Sequence, residues 1–297
     1  MKFGIHSMVW VGDWSEVAAR HAITSTAKAG YDLIELSAID PSTFDVELTA
    51  KLLAEHNLDT TTSLGLDAST DVSSEDNEIV ARGRKRLDEA LTLVRDTGGS
   101  MLCGVIYSAL RKYDAPATER GRQNSYETIG WIADKAAESG IKIGLEFCNR
   151  YETNLLNTTA QTLEFIEVVD RPNVFAHLDS YHMNIEEHSM RGAVLDAAQA
   201  GKLGYVHAGE SHRGELGTGS VDWAQFLGAL TDVGYDGIVT FESFSSAVVH
   251  PTFSNSLAIW RNLWTDNFAL AENSLAFLKK GLGEGGPKAS AADVKVR

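Results

Sequence analysis

A chain of 297 residues, 43% apolar and 23% charged, has ordinary globular composition and enough apolar side chains for a sizeable core, which excludes disorder as its organising state. Its 26 basic against 41 acidic residues give a formal charge of −15, so a nucleic-acid backbone or an anionic membrane surface is repelled over most of its surface. No apolar run approaches the roughly 20 residues of a membrane span. The opening MKFGIHSMVW lacks the organisation of a secretory leader, so the expectation is a cytoplasmic protein with neither nucleic acid nor membrane as partner. Cys103 and Cys148 sit inside apolar segments without metal-ligand spacing and are expected to be buried, reduced thiols.

In chain order, short apolar runs alternate with longer amphipathic stretches, the pattern of βα units around a parallel sheet. KFGIHSM from Lys2 is followed by VAARHAITSTAKAG, whose apolar positions recur three and four apart. LIELSA from Leu33 and TTTSLGL from Thr60 come next, then the helical SEDNEIVARGRKRLDEALTLVRDTG. MLCGVIY from Met101 precedes the helical ETIGWIADKAAESG, and KIGLEFC from Lys142, VFAHLDS from Val174, LGYVHAGE from Leu203 and GIVTFESF from Gly237 complete eight strands. Gly30, Gly98, Gly140 and Gly234 each stand between a helical stretch and the next strand, where a left-handed residue closes the helix. No Gly-rich dinucleotide fingerprint follows the first strand. These features predict an α/β fold, a (β/α)₈ TIM barrel forming one domain over residues 1–282. Its last helix is expected around Trp260 to Leu282, and the polar remainder, 283–297, is expected to be a mobile tail.

In such a barrel the chemistry lies at the C-terminal ends of the strands. Glu146, Asp179, His207 and Glu242 close the fifth to eighth runs, so four neighbouring strands deliver four metal-competent side chains to one rim. Three carboxylates and one imidazole form an oxygen-rich donor set suited to Mn²⁺ or Co²⁺, with Mg²⁺ also accommodated, rather than to the thiolate cages of structural zinc. Each acid alone reads equally well as a helix cap or the partner of an arginine; four at equivalent positions do not. Glu152 in NRYETNLLN, His182 in LDSYHMN and Arg213 in GESHRG follow closely and are placed over the mouth. Trp10 and Trp14 after the first strand, Leu64 and Leu66 at the third and Phe244 after Glu242 are candidates for an apolar pocket wall, and equally for core.

The segments LEFCNRYETNLLN, HLDSYHMNIEE, YVHAGESHRGELGTGSVDW and FESFSS make the chain resemble the ketose 3-epimerases of D-tagatose, D-allulose (psicose) and L-ribulose, within the xylose-isomerase-like barrels. The resemblance runs from GIHSMVW to WRNLW. It implies that Glu146, Asp179, His207 and Glu242 hold a divalent metal and that Glu146 and Glu242 also exchange the C3 proton of a free ketose through a metal-held enediolate. It implies as well that Glu152, His182 and Arg213 bind the C1 and C2 end of the sugar, and that the protein is a homodimer or homotetramer. An aldose–ketose or hydroxypyruvate-type isomerase, an inosose-type dehydratase and a non-catalytic sugar-binding barrel share the scaffold; NRYE and ESHRG favour the epimerase, and the charge disfavours a DNA-cleaving barrel.

Overall fold

The computed structural model describes residues 1–38 and 40–283. Eight strands, β1 (Lys2–His6), β2 (Leu33–Ser37), β3 (Asp59–Ser63), β4 (Met101–Gly104), β5 (Lys142–Glu146), β6 (Val174–Asp179), β7 (Leu203–Ala208) and β8 (Ile238–Phe241), pair in parallel in chain order, and β8 closes on β1. The closure follows from the alternation seen in the sequence: with helices outside and packed side chains inside, no strand is left as an edge.

The helices are α1 (Glu16–Ala29), α2 (Val46–His56), α3 (Asn77–Asp96), α4 (Glu119–Ala137), α5 (Thr159–Val169), α6 (Ser180–Glu186), α7 (Met190–Gln199), α8 (Trp223–Asp232), α9 (Pro251–Ser256) and α10 (Asn267–Gly281). Side chains of Ser15, Asp45, Thr118 and Asp222 cap their first turns by accepting backbone N–H groups. The expected joints hold: Gly30, Gly98, Gly140 and Gly234 have φ of 86°, 76°, 69° and 66°. Asn57 and Asp170, also left-handed, close α2 and α5 where no glycine is present. Leu, Ile and Phe side chains from both layers, Ile5, Leu36, Leu87, Ile129, Phe165 and Phe226 among them, are buried in one cluster, each contributing about 1.5–3 kcal/mol.

Two local expectations change. The last helix starts at Asn267 rather than near Trp260, because Asp266 caps it by accepting from the N–H groups of Phe268 and Ala269. Ala258, with φ of 55°, interrupts the preceding chain, and Trp260 is exposed. The expected tail lies outside the described residues from 284 onward.

The barrel interior is polar at its centre. Tyr205 of β7 donates to Glu35 of β2 at 2.6 Å and pairs with Thr61 of β3 at 2.8 Å and Thr240 of β8 at 2.7 Å. Strands that are not neighbours meet only through the interior, so these bonds place Glu35 inside the barrel, fully buried. Tyr205, Thr61, Thr240 and Glu35 Oε2 satisfy one another there, whereas Glu35 Oε1 and both ring nitrogens of His177 are buried without a hydrogen-bond partner. At the mouth, Gly104 has φ of 106°, and a Cβ would lie 2.5 Å from the carbonyl oxygen of Leu64, so only glycine fits at this strand end.

Candidate active site

Alternation along each strand carries Glu146, Asp179 and His207 to the C-terminal rim, with Asp179 and His207 facing each other in register. Glu242 follows β8 directly, and its N–H extends the ladder by donating to the carbonyl of Ala208 at 3.1 Å. One donor atom from each of these four side chains lies within 4.8 Å of the others, and all four residues are buried. The sequence-predicted quartet is therefore brought together in a single cluster.

His207 shows what the cluster fits. Its Nε2 is held by Glu35 Oε2 at 2.8 Å, while its buried Nδ1 has no hydrogen-bond partner and faces Glu146 Oε1 at 3.5 Å and Glu242 Oε1 at 3.4 Å. An imidazole fixed through one nitrogen by a carboxylate, with the other aimed at three acidic side chains, is the arrangement of a metal-ligating histidine and the residue that orients it. The residues present fit a divalent cation. Without one, burial opposes charge on Glu35 and His207 alike, yet their contact keeps Glu35 ionised and holds His207 well above its usual range.

Burial lifts Glu146 to about 7, aided by the carboxylates of Glu242 and Asp179 and opposed by His207. A carboxyl raised in the folded state contributes stability that is full below its unfolded value of 4.5 and is lost as pH rises through about 7. Loading a cation must also expel this proton. Because His207 must give up a proton as well, apparent metal affinity should rise by about a hundredfold per pH unit up to about pH 7 and by about tenfold per unit above it, measured by chelator competition. A flat profile across that window contradicts this account of the centre.

Arg213 closes the cluster from above. Its Nη1 donates to Asp179 Oδ2 at 2.9 Å and to Glu242 Oε2, and its guanidinium stacks 3.8 Å from the ring centroid of Tyr181. The backbone there is left-handed, φ 63°, and is pinned because its carbonyl accepts from the Phe244 N–H and the Ser243 hydroxyl. The buried carboxylate of Glu210 holds the rest of that loop by accepting from Ser211, Gly217 and Val221 N–H groups and the Trp223 indole.

His182 is buried, and burial lowers it to about 3, so its ring is neutral. Its Nδ1 accepts the Asn149 N–H at 3.1 Å, which leaves the proton on Nε2, 3.6 Å from Asp179 and 3.8 Å from Glu146. Glu152 is half-buried, raised by burial, and accepts from Asn149 Nδ2 at 2.8 Å.

Glu146, Glu242, Glu152, His182, Arg213, Leu64 and Phe244 line one cavity of about 60 Å³. Trp14 and Leu66 line an adjoining cleft instead. Trp10 is not in the lining; it packs in the core against His21 and Phe268. Cys148 lines the cavity, and both cysteines are buried and free, with burial raising their thiols.

Sequence reasoning missed Glu35, Tyr205, His6 and His177, the groups beneath the metal-competent cluster. His6 pairs with Ser63 at 3.2 Å, lies 3.6 Å from Glu35 and is lowered by burial to about 4. His177 packs edge-on to His207, ring centroids 4.1 Å apart. The available signal was an ionisable residue inside, rather than at the end of, an apolar run such as LIELSA.

A closed parallel barrel whose last four strands converge three carboxylates and an imidazole is a barrel with a metal-competent centre at its C-terminal rim. The xylose isomerase-like TIM barrel family matches residues 23–280. The chain is 53% identical over 280 residues to L-ribulose 3-epimerase of Methylomonas sp. strain DH-1, covering 94% of this chain and 97% of the relative. It is 50% identical over 282 residues to ketose 3-epimerase of Arthrobacter globiformis, covering 95% and 97%. A solved structure of D-allulose 3-epimerase from Methylomonas sp. in complex with D-allulose superposes with a TM-score of 0.92 at 53% identity, covering 94% of this chain and 96% of that one. The chain belongs to the ketose 3-epimerases of the xylose isomerase-like barrels, isomerases acting on carbohydrates. Among the described residues no helix is long and apolar enough to cross a membrane.

Proposed function

We propose that the protein epimerises free ketoses at C3, interconverting D-allulose with D-fructose, D-tagatose with D-sorbose or L-ribulose with L-xylulose, with Glu146 and Glu242 as the two proton-transfer groups. The observation that carries this reading is the pair of glutamates flanking the unpartnered Nδ1 of His207, from strands on different sides of the barrel. Glu146, Asp179, His207 and Glu242 would hold Mn²⁺ or Co²⁺. When bound, such a cation supplies Lewis acidity toward the oxygens of the sugar.

The remaining chemistry belongs to side chains. One glutamate takes the C3 proton and the other returns a proton to the opposite face, so the C3 configuration inverts while the sugar remains a ketose. Arg213 and the Nε2–H of His182 are donors that reach the C1 and C2 end and stabilise charge developing on O2, and Glu152 accepts from hydroxyls at that end. Leu64 and Phe244 wall the cavity against water. The experiment is turnover in deuterated water followed by NMR of the sugar. One deuterium at C3 of the epimerised ketose is expected; label at C2 of an aldose product would establish an isomerase instead.

The protein is further read as cytoplasmic and as a homodimer or homotetramer, a reading carried by its resemblance to the ketose 3-epimerases. A monomer in sedimentation at micromolar concentration contradicts that.

A further inference from the structure

The cavity over Glu146 and Glu242 is small, but it does not end blindly. Ser37, Leu64, Gly65, Leu110 and Phe253 line both it and a cleft of about 750 Å³ over the loops after β1, β2 and β3. A cleft of that size accommodates a drug-sized ligand, more than the few carbons of a ketose beyond C3 require. Its position is set by topology. Glu152, His182 and Arg213 lie on the side of β5, β6 and β7, so a ketose with its carbonyl end there directs its far end toward β2 and β3.

The lining identifies the chemistry of an occupant. Trp14 and Phe44 stack at 5.3 Å and 24°, and the Trp14 indole N–H is fixed on Thr49 at 3.0 Å, which gives a rigid apolar wall of the kind a sugar face covers. Asp13, Asp40 and Asp67 also line the cleft, and each commits one oxygen to the backbone of its own turn. The three carboxylates outnumber the Arg86 side chain that also lines the cleft, 3.8 Å from Asp40, and beside an aromatic wall they suit the hydroxyl groups of an uncharged polyol.

We propose that this cleft is a subsite for a second sugar ring carried on the terminal hydroxyl of the ketose, and that the protein epimerises such glycosylated ketoses as well as free ones. The inference rests on the C3-epimerase reading. The chemistry is unchanged: the C3–H bond breaks and re-forms on the opposite face by the same proton exchange, and the glycosidic bond stays intact.

The test compares D-fructose with 6-O-α-D-glucopyranosyl-D-fructose as substrates of the Mn²⁺-loaded full chain, with products resolved by chromatography. The glycoside is expected to give its C3 epimer with kcat/KM within about tenfold of the free ketose. Phe44→Ala, which removes half of the aromatic wall outside the catalytic cavity, is expected to lower kcat/KM for the glycoside by about tenfold through KM, with a change below about twofold for D-fructose. Turnover of D-fructose without turnover of the glycoside overturns the subsite and leaves the epimerase reading standing. An equal loss on both substrates in Phe44→Ala also overturns it. Failure of both substrates in the wild-type chain, and of D-tagatose and L-ribulose as well, overturns the epimerase reading along with it.

Discussion

Glu146→Gln and Glu242→Gln should each keep the fold and lose turnover by about 10²–10⁴-fold, the usual contribution of a general base. Glutamine preserves the size of the side chain and an oxygen able to accept a hydrogen bond, including the one that Arg213 gives Glu242. It cannot take up a proton at C3. The loss should appear in kcat with metal saturating, since both residues also belong to the donor cluster and a weakened site must be filled before rates are compared. Thermal unfolding of each variant separates lost chemistry from lost structure. Near wild-type turnover in either folded, metal-loaded variant contradicts the two-glutamate assignment.

Glu35→Gln should weaken metal binding by about 10–100-fold while leaving most of kcat recoverable at saturating metal. Glu35 Oε2 accepts both the Tyr205 hydroxyl and His207 Nε2–H, and this second bond leaves the Nδ1 of His207 facing the carboxylates. An amide at the same place is neutral and can present N–H₂ to the ring, which favours the opposite tautomer. Titration by chelator competition reads the effect directly, and Glu35 touches no substrate in this account. A variant with unchanged metal affinity would show that the buried carboxylate serves the barrel interior alone.

The barrel was legible because its signals are local. Eight apolar runs, each near a glycine or a polar turn, need no tertiary knowledge to be seen, and Gly30, Gly98, Gly140 and Gly234 adopt the left-handed backbone that their positions demand. Glu146, Asp179, His207 and Glu242 were legible for the same reason, as polar residues where apolar runs stop. The layer beneath them was not. Glu35 and Tyr205 lie in the middle of strands, where period-two alternation says which face a residue occupies but not what it meets across the barrel, and their hydrogen bond spans 170 positions in sequence. Trp10 and Trp14 show the complementary limit. Both follow β1, yet one packs against α1 and α10 and the other lines the cleft, a difference set by a few residues of loop path. The start of α10 was misplaced because the apolar stretch around Trp260 has helical spacing, whereas the Asp266 cap and the left-handed Ala258 decide where the helix can begin.

The most direct test of the central claim is to strip the full-length protein of metal and incubate it with D-fructose, D-tagatose and L-ribulose, with and without added Mn²⁺ or Co²⁺, resolving the products by chromatography. The account predicts that the C3 epimer of at least one ketose forms only when metal is restored. Formation of an aldose, or full epimerase activity in the metal-stripped protein, would contradict it.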